Sequence, residues 1–306
     1  LAAPACLAAV ASFDPGFFSY GPRIFWQITY GNWMVVTHAA EIPGRWEGDL
    51  SAAREGAALP RIDAAVGRSS VDVLGYSVGT ALLNGLALSA RPVFQSYTAY
   101  TPSLEGWNLR FYQSPGAPDF VLWKDERIDN RYPGQDDAML MAALPGQYTP
   151  VLEEGGYSLL RREGRSPLSL PERRLLFSRT VRLGEEIELP APLTSAVWLA
   201  ADPVPSALGA IRSAAYKPGR IDIVTRDARG RAGEWRLLPR VSRAGFLLVP
   251  TLFDGAALAR LEGGEARNPV RSFHFWAPDG QDEYWNRVLV GVFAVPSLPI
   301  REVDDE

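Results

Sequence analysis

The sequence predicts an α+β protein of two domains: an N-terminal three-layer α/β domain with a mainly parallel sheet, followed by a C-terminal β-sandwich. Three observations predict it. The chain has 306 residues, about twice the length of a typical domain. Its first half alternates short apolar runs with segments of helical period, and that alternation implies βαβ crossovers because parallel neighbours need a long return connection. Its second half is a succession of short strand-like runs separated by turn residues, as in a sandwich. With 47% hydrophobic and 22% charged residues, 28 Gly and 25 Pro, the composition is that of a folded, turn-rich chain.

Residues 1–13 read LAAPACLAAVASF. The run is too short to span a bilayer, which needs roughly 20 apolar residues. Ala9-Val10-Ala11 has the small-x-small form of a signal-peptide cleavage site. The segment therefore reads as the end of a membrane helix or a signal segment, with a buried core helix as the alternative. Because the chain opens on Leu rather than Met, an upstream segment is expected to have been removed.

The α/β domain is placed at 14–164. Glu47 to Val66 favours helix and is interrupted at Pro60, whose fixed φ marks a new helix start. Ser70 to Leu74 has strand character, and Val78, Leu82 and Leu86 give Val78 to Leu88 a helical period. A short strand is expected at Pro92 to Gln95, a helix at Leu104 to Phe111, a strand at Phe120 to Trp123 and a helix at Asp136 to Ala143. Strands at Tyr148 to Leu152 and Tyr157 to Arg161 hinge on Gly155-Gly156. Residues 165–174 lie in a Pro-, Ser- and Arg-rich stretch without apolar period and read as a linker.

The sandwich is placed at 175–300, ahead of an acidic tail at 301–306. Its strands are expected at Leu176 to Leu183, Ile187 to Leu189, Ala196 to Ala201, Arg220 to Thr225, Glu234 to Leu238, Gly245 to Val249, Val270 to Trp276 and Arg287 to Val295. Helical insertions are expected around Ser206 to Ala215 and Gly255 to Leu261.

Lys+Arg 31 against Asp+Glu 35 gives a formal net charge of -4, too mild for polyanion binding, so nucleic acid is not an expected partner. Cys6 is the only cysteine, which removes intramolecular disulfides and cysteine zinc sites. Walker A, G-x-G-x-x-G and H-E-x-x-H motifs are absent from the sequence. No metal and no cofactor is expected.

Gly75-Tyr76-Ser77-Val78-Gly79 matches G-x-S-x-G between a predicted strand and a predicted helix, the context in which an α/β-hydrolase raises its nucleophile. A serine hydrolase using Ser77 with His274 is therefore the alternative functional reading. Against it, His38 and His274 are the only histidines, and His274 sits inside an alternating strand rather than on a loop. The preferred reading makes the motif structural, with glycines for a tight turn and the Ser77 hydroxyl capping the following helix.

Carboxylates cluster at Asp125, Glu126 and Asp129 and again at Asp136 and Asp137, around Arg127 and Arg131. Such pairs serve glycoside chemistry or hard cations; they equally form a solvated loop and the acidic first turn of a helix. Asp279 to Glu283 lacks the ligand alternation of a calcium loop and reads as a hairpin turn. Among nine Trp, Trp107, Trp123, Trp235 and Trp285 fall near element ends, where exposed rings stack on sugars.

The run Arg91-Pro92-Val93-Phe94-Gln95-Ser96-Tyr97-Thr98-Ala99-Tyr100-Thr101-Pro102, with Leu104 and Asn108, resembles an uncharacterised group of bacterial multi-pass membrane proteins that look glycosyltransferase-like. Val71-Asp72-Val73, Ile128-Asp129-Asn130-Arg131, Leu208-Gly209-Ala210-Ile211-Arg212, Tyr216-Lys217-Pro218 and Gly245-Phe246-Leu247-Leu248 support the match, which covers nearly the whole chain. The resemblance implies the C-terminal extracytoplasmic region of such a protein, on the periplasmic face and tethered through an upstream membrane region. It implies no catalytic residues in this chain.

The same run has a physical reading. It delivers polar and aromatic side chains near the C-terminal edge of a sheet, where α/β folds bind ligands. Arg91, Gln95, Ser96, Tyr97, Tyr100, Asn108, Asp129 and Arg131 are thus the candidate ligand-binding residues, for a glycan or lipid-linked sugar; anchoring a partner domain is the other use of the same surface. The expected function is a non-catalytic extracytoplasmic accessory domain that binds or positions a glycan or a partner domain of the cell envelope.

Overall fold

A computed structural model describes residues 17–38, 40–164 and 167–303. The segment read as a signal or membrane end, 1–13, lies outside the described residues, as does the end of the acidic tail, 304–306. The chain divides at Ala58/Leu59 into two units.

The first unit contains two helices, α1 (Phe17–Thr37) and α2 (Ile42–Gly56). The side chains of Phe25, Trp26, Tyr30 and Trp33 on α1 are exposed. Among the described residues no helix is long and apolar enough to cross a membrane.

In the second unit, α3 (Pro60–Val66) leads into β1 (Ser70–Leu74), α4 (Gly79–Leu83), β2 (Ala87–Leu88), α5 (Pro102–Tyr112), β3 (Phe120–Trp123), α6 (Ala138–Ala143), β4 (Tyr148–Glu154) and β5 (Tyr157–Arg162). The strands form one sheet of order β2-β1-β3-β5-β4. β1 runs parallel to β2 and β3, whereas β3/β5 and β5/β4 are antiparallel. The sheet is mixed, which corrects the expectation of a mainly parallel one. The reason is local: Gly155 and Gly156 have φ of 59° and 78° between the paired residues Glu154 and Tyr157, and a two-residue turn with both φ positive joins only antiparallel strands.

Strand alternation assigns the two faces of this sheet. Val71, Val73, Phe120, Leu122 and Leu159 turn toward Ile62 and Val66 of α3. Leu74, Val121, Trp123 and Leu160 turn the other way, toward Leu109 and Tyr112 of α5 and the apolar side of α6. Strand β3 is buried throughout, as a strand covered on both faces must be.

Two expected elements differ. The helix drawn from Val78 to Leu88 stops at Leu83, because Gly85 takes φ 66° and the chain turns back to pair Ala87 and Leu88 with β1. Pro92 to Gln95 is not a strand. Asn108 satisfies its backbone instead, accepting from the Val93 N–H at 2.9 Å and donating to the Val93 carbonyl at 3.0 Å.

Beyond residue 166 the chain forms β6 (Arg174–Val181), β7 (Ile187–Glu188), β8 (Ser195–Pro205), α7 (Ala207–Ala215), β9 (Asp222–Asp227), β10 (Ala232–Arg236), α8 (Pro239–Ser242), β11 (Phe246–Val249), α9 (Gly255–Glu262), β12 (Glu265–Arg267), β13 (Val270–Trp276), β14 (Trp285–Pro299) and β15 (Arg301–Val303). They build two antiparallel sheets, β10-β9-β13-β7 and β11-β8-β14-β6, and a parallel pair β12-β15. Residues 301–303, expected as tail, supply β15.

The inner residues of both antiparallel sheets, such as Phe273, Phe275, Trp198 and Val288, share one continuous core with Leu74, Val121 and Leu160 of the mixed sheet. The two halves drawn from the sequence on either side of 165–174 thus belong to one compact unit from Leu59 onward. In that stretch Leu168 is buried and its carbonyl accepts from Gln113 Nε2.

Candidate functional site

β1 lies between β2 and β3, so the chain leaves β1 to one side and returns past it to β3. The C-terminal ends of such strands diverge at a topological switch point, where open α/β sheets bind ligands. Here the segments leaving β1 and β3, with Ser96 from the following loop, border a crevice of about 40 Å³ lined by Gly75, Lys124, Asp125, Arg127 and Asp136 among others.

The loop 125–137 forms one wall and is built under constraint. Asp129, Asn130 and Asp137 have φ of 56°, 54° and 55°, a region that Asn and Asp tolerate better than most residues. The loop is held against β10: the Arg236 N–H donates to the Asn130 carbonyl, Asn130 Nδ2 donates to the Glu234 carbonyl, and Asp129 pairs with Arg236 at 2.7 Å. Asp125 pairs with Arg127 and Asp136 with Arg131. Burial raises the Asp125 carboxyl to about 6 against the pull of Arg127, and raises Asp136 against that of Arg131.

The G-x-S-x-G turn is tied to this wall. The N–H groups of Tyr76 and Ser77 both donate to Glu126 Oε2 at 2.9 Å. Gly75 is required at φ 151°, and a Cβ there would meet the same oxygen at 2.8 Å. The expected capping role of the Ser77 hydroxyl is corrected: α4 has no side-chain cap, and the Thr80 N–H bonds to the Ser77 carbonyl. His274, in the middle of β13, bonds through Nδ1 to Glu186 Oε2 at 3.0 Å. No hydrogen bond among the described residues links it to Ser77.

Glu126→Ala is accordingly expected to cost about 2 kcal/mol, the loss of two bonds to a charged acceptor offset by solvation of a half-buried turn. Ser77→Ala should stay within about 0.5 kcal/mol. Urea denaturation of both variants checks the pair; equal losses would restore the hydroxyl cap.

Of the candidate ligand residues, Arg91, Asn108 and Arg131 occupy interior positions. Arg91 donates from Nη1 to Asp72 Oδ2 (2.9 Å) and to the Val73 carbonyl (2.6 Å), from Nε to Asp137 Oδ2 (3.1 Å) and from Nη2 to Ser96 Oγ (2.6 Å). Tyr112 donates to Asp72 at 2.7 Å and Asn108 to Asp137 at 2.6 Å. Burial lowers the affinity of the guanidinium for its proton, but Asp72 and Asp137 more than reverse this and hold it charged. Arg91 runs from the middle of β1 to α6 and ties them to α5. Asp137 is drawn into this network instead of capping α6. Ser96 is buried as well, although it borders the crevice.

Gln95, Tyr97, Tyr100 and Arg131 lie together beside the crevice, to which they connect through the lining residue Ser96 next in sequence to Tyr97 and through the ion pair of Arg131 with the lining residue Asp136. Tyr97 donates to Gln95 Oε1, its carbonyl accepts from Arg131 Nη1, and its ring meets that of Tyr76 edge-on at 6.2 Å. Arg131 lies beneath the exposed ring of Tyr100 at 6.0 Å. The sequence reading missed Tyr76 and Lys124 as site residues. The available signal was their position immediately beyond two parallel strands, which needs the strand order to be interpreted.

Of the four tryptophans singled out, Trp123 and Trp285 are core residues, Trp107 is exposed on α5 and Trp235 is half-buried. Arg127 lies over the Trp235 and Phe253 rings at 5.0 and 5.6 Å, and its Nη1 has no hydrogen-bond partner among the described residues. Among those residues no group of three or more His, Cys, Asp or Glu side chains is placed to hold a metal ion. The arrangement is one of aromatic rings beside ion-paired planar groups, suited to stacking on a ring and hydrogen-bonding its hydroxyls. Comparison with protein-family models and with curated proteins finds no match to this chain.

Proposed function

We propose that this chain is a non-catalytic accessory module of a bacterial envelope membrane protein, extracytoplasmic and tethered, whose role is to bind or position a glycan. The observation that carries the reading is a lip of tyrosines, Tyr76, Tyr97 and Tyr100, beside the switch-point crevice, whose lining includes their chain neighbours Gly75 and Ser96. The envelope location draws its support from the resemblance of the Arg91 to Pro102 run, which builds most of that lip. In this proposal the mixed-sheet part, a three-layer α/β arrangement, supplies the lip. The antiparallel sheets, read as a β-sandwich, supply the facing wall through β10.

The crevice itself holds about 40 Å³, close to the roughly 30 Å³ share of one water molecule. A sugar ring therefore lies beside it, on the tyrosines, rather than inside. Tyr97→Ala and Tyr100→Ala are each expected to weaken glycan binding about 3- to 10-fold, the value of one aromatic contact, measured by titration with the strongest ligand found on a glycan array. An array without hits would overturn the proposal.

A further inference from the structure

A second and much larger cleft, about 460 Å³, opens beside the crevice, within the roughly 300–1,000 Å³ of small-molecule sites. Its floor is aromatic: Trp235 on β10 and Phe253 in the loop before α9, with centroids 5.8 Å apart. Phe253 is 44% exposed. The Trp235 ring is propped by its own strand, where Gly233 leaves room for it; a Cβ at 233 would approach the indole Nε1 to 2.8 Å.

The walls are charged yet balanced. Arg231 pairs with Asp227 at 2.7 Å, and Arg260 faces Asp254 at 3.9 Å while Asp254 caps α9 through the Ala257 N–H. Arg267 and Glu265 complete an equal number of cations and anions around the cleft. A site built for an anion or a cation carries an excess of the opposite sign. Balanced charges over an aromatic floor instead offer fixed donors and acceptors to hydroxyl groups, with a stacking surface for the ring.

One side chain separates the two cavities. Arg127 lines the crevice and lies over both rings of the cleft floor. Tyr132, also on the crevice, meets the edge of Trp235 at 6.1 Å and shares a hydrogen bond with Thr251 of the cleft. We infer that the two are subsites of one groove and that the ligand is a short neutral oligosaccharide, with one sugar on the tyrosine lip and the following sugars beyond Arg127, in the cleft lined by Trp235 and Phe253. The inference rests on the glycan reading of the lip, and it assigns the cleft a ligand and the ligand a length.

The test is a set of immobilised neutral and acidic oligosaccharides, each a size series from mono- to hexasaccharide, followed by calorimetric titration of the strongest series. The wild-type chain is expected to prefer a neutral series, with affinity rising about tenfold or more from mono- to trisaccharide as the second subsite fills. Phe253→Ala, at an exposed position whose truncation leaves the core intact, should abolish the gain with length and spare monosaccharide binding. Trp235→Ala should do the same, and Tyr100→Ala should weaken every length equally. Affinity independent of length, indifference to Phe253→Ala, or preference for an acidic series would overturn the inference while leaving the lip as a binding site. Failure to bind any series would overturn both.

Discussion

Arg91→Met is expected to destabilise the protein by about 3–5 kcal/mol, the loss that follows when one partner of a buried ion pair is removed and the other stays behind. Two carboxylates, Asp72 and Asp137, face this guanidinium with no exposed surface on any of the three side chains. Without the cation each must remain charged in an apolar setting or take up a proton, and either outcome is costly. Adding Asp72→Asn to Arg91→Met removes one of the stranded charges and should recover part of the loss. Urea unfolding of the two variants, followed by tryptophan fluorescence, reads the difference. A loss below about 1 kcal/mol for Arg91→Met would mean that the network is peripheral to stability.

The second large effect is a pH dependence centred on Glu105. This residue on α5 is fully buried; Oε2 accepts from the Met139 N–H, and Oε1 has no hydrogen-bond partner among the described residues. Burial raises its carboxyl from an ordinary 4.5 to about 8; the Met139 N–H opposes the shift, and Asp137 and Asp136 add to it. The native state therefore retains a proton that the unfolded chain releases above about pH 4.5. Stability contributed by the neutral carboxyl is complete below that value and falls as pH rises toward 8, at a limiting slope of about 1.4 kcal/mol per pH unit. Glu105→Gln keeps an acceptor for Met139 and has no proton to lose. It is expected to flatten this slope and to be more stable than wild type at pH 8 by on the order of 2–4 kcal/mol, with little difference at pH 4.5. Denaturation midpoints at pH 5, 6.5 and 8 check the expectation, and parallel profiles for the two proteins would refute it. Burial raises Asp125 and Asp136 in the same direction, so the comparison between variants isolates Glu105.

Where local chemistry dominates, the elements were legible from the residues. Pro60 starts α3 and Gly155-Gly156 turns β4 into β5. The apolar run Phe120 to Trp123 is a buried strand, and Ser206 and Asp254 cap α7 and α9 through their side chains. The alternation of Phe273 to Trp276 survives in β13, while an irregularity between Val270 and Ser272 breaks it at the start of the strand. The fate of Pro92 to Gln95 was not legible, because an extended segment can satisfy its backbone by a neighbouring strand or by a side chain distant in sequence. Asn108, fifteen positions later, decided it.

The candidate site divides along the same line. Sequence alone determined that polar and aromatic residues concentrate between Arg91 and Tyr100 and carboxylates between Asp125 and Asp137, since composition is local. It also determined that Gly75 and Gly79 bracket a turn between a strand and a helix. Only the tertiary structure decided which of those groups face inward. Burying Asp72 in the centre of β1 demands a partner, and Arg91 and Tyr112 are drawn inside to meet it, while Tyr97 and Tyr100 remain at the surface. Only tertiary structure brought Glu126 from beyond β3 into the turn after β1, and set Trp235 and Phe253 under Arg127. These contacts join residues 50 to more than 100 positions apart. They exist because one hydrophobic core seats the mixed sheet against the antiparallel sheets, and no period or spacing within a segment encodes which distant segment will arrive there.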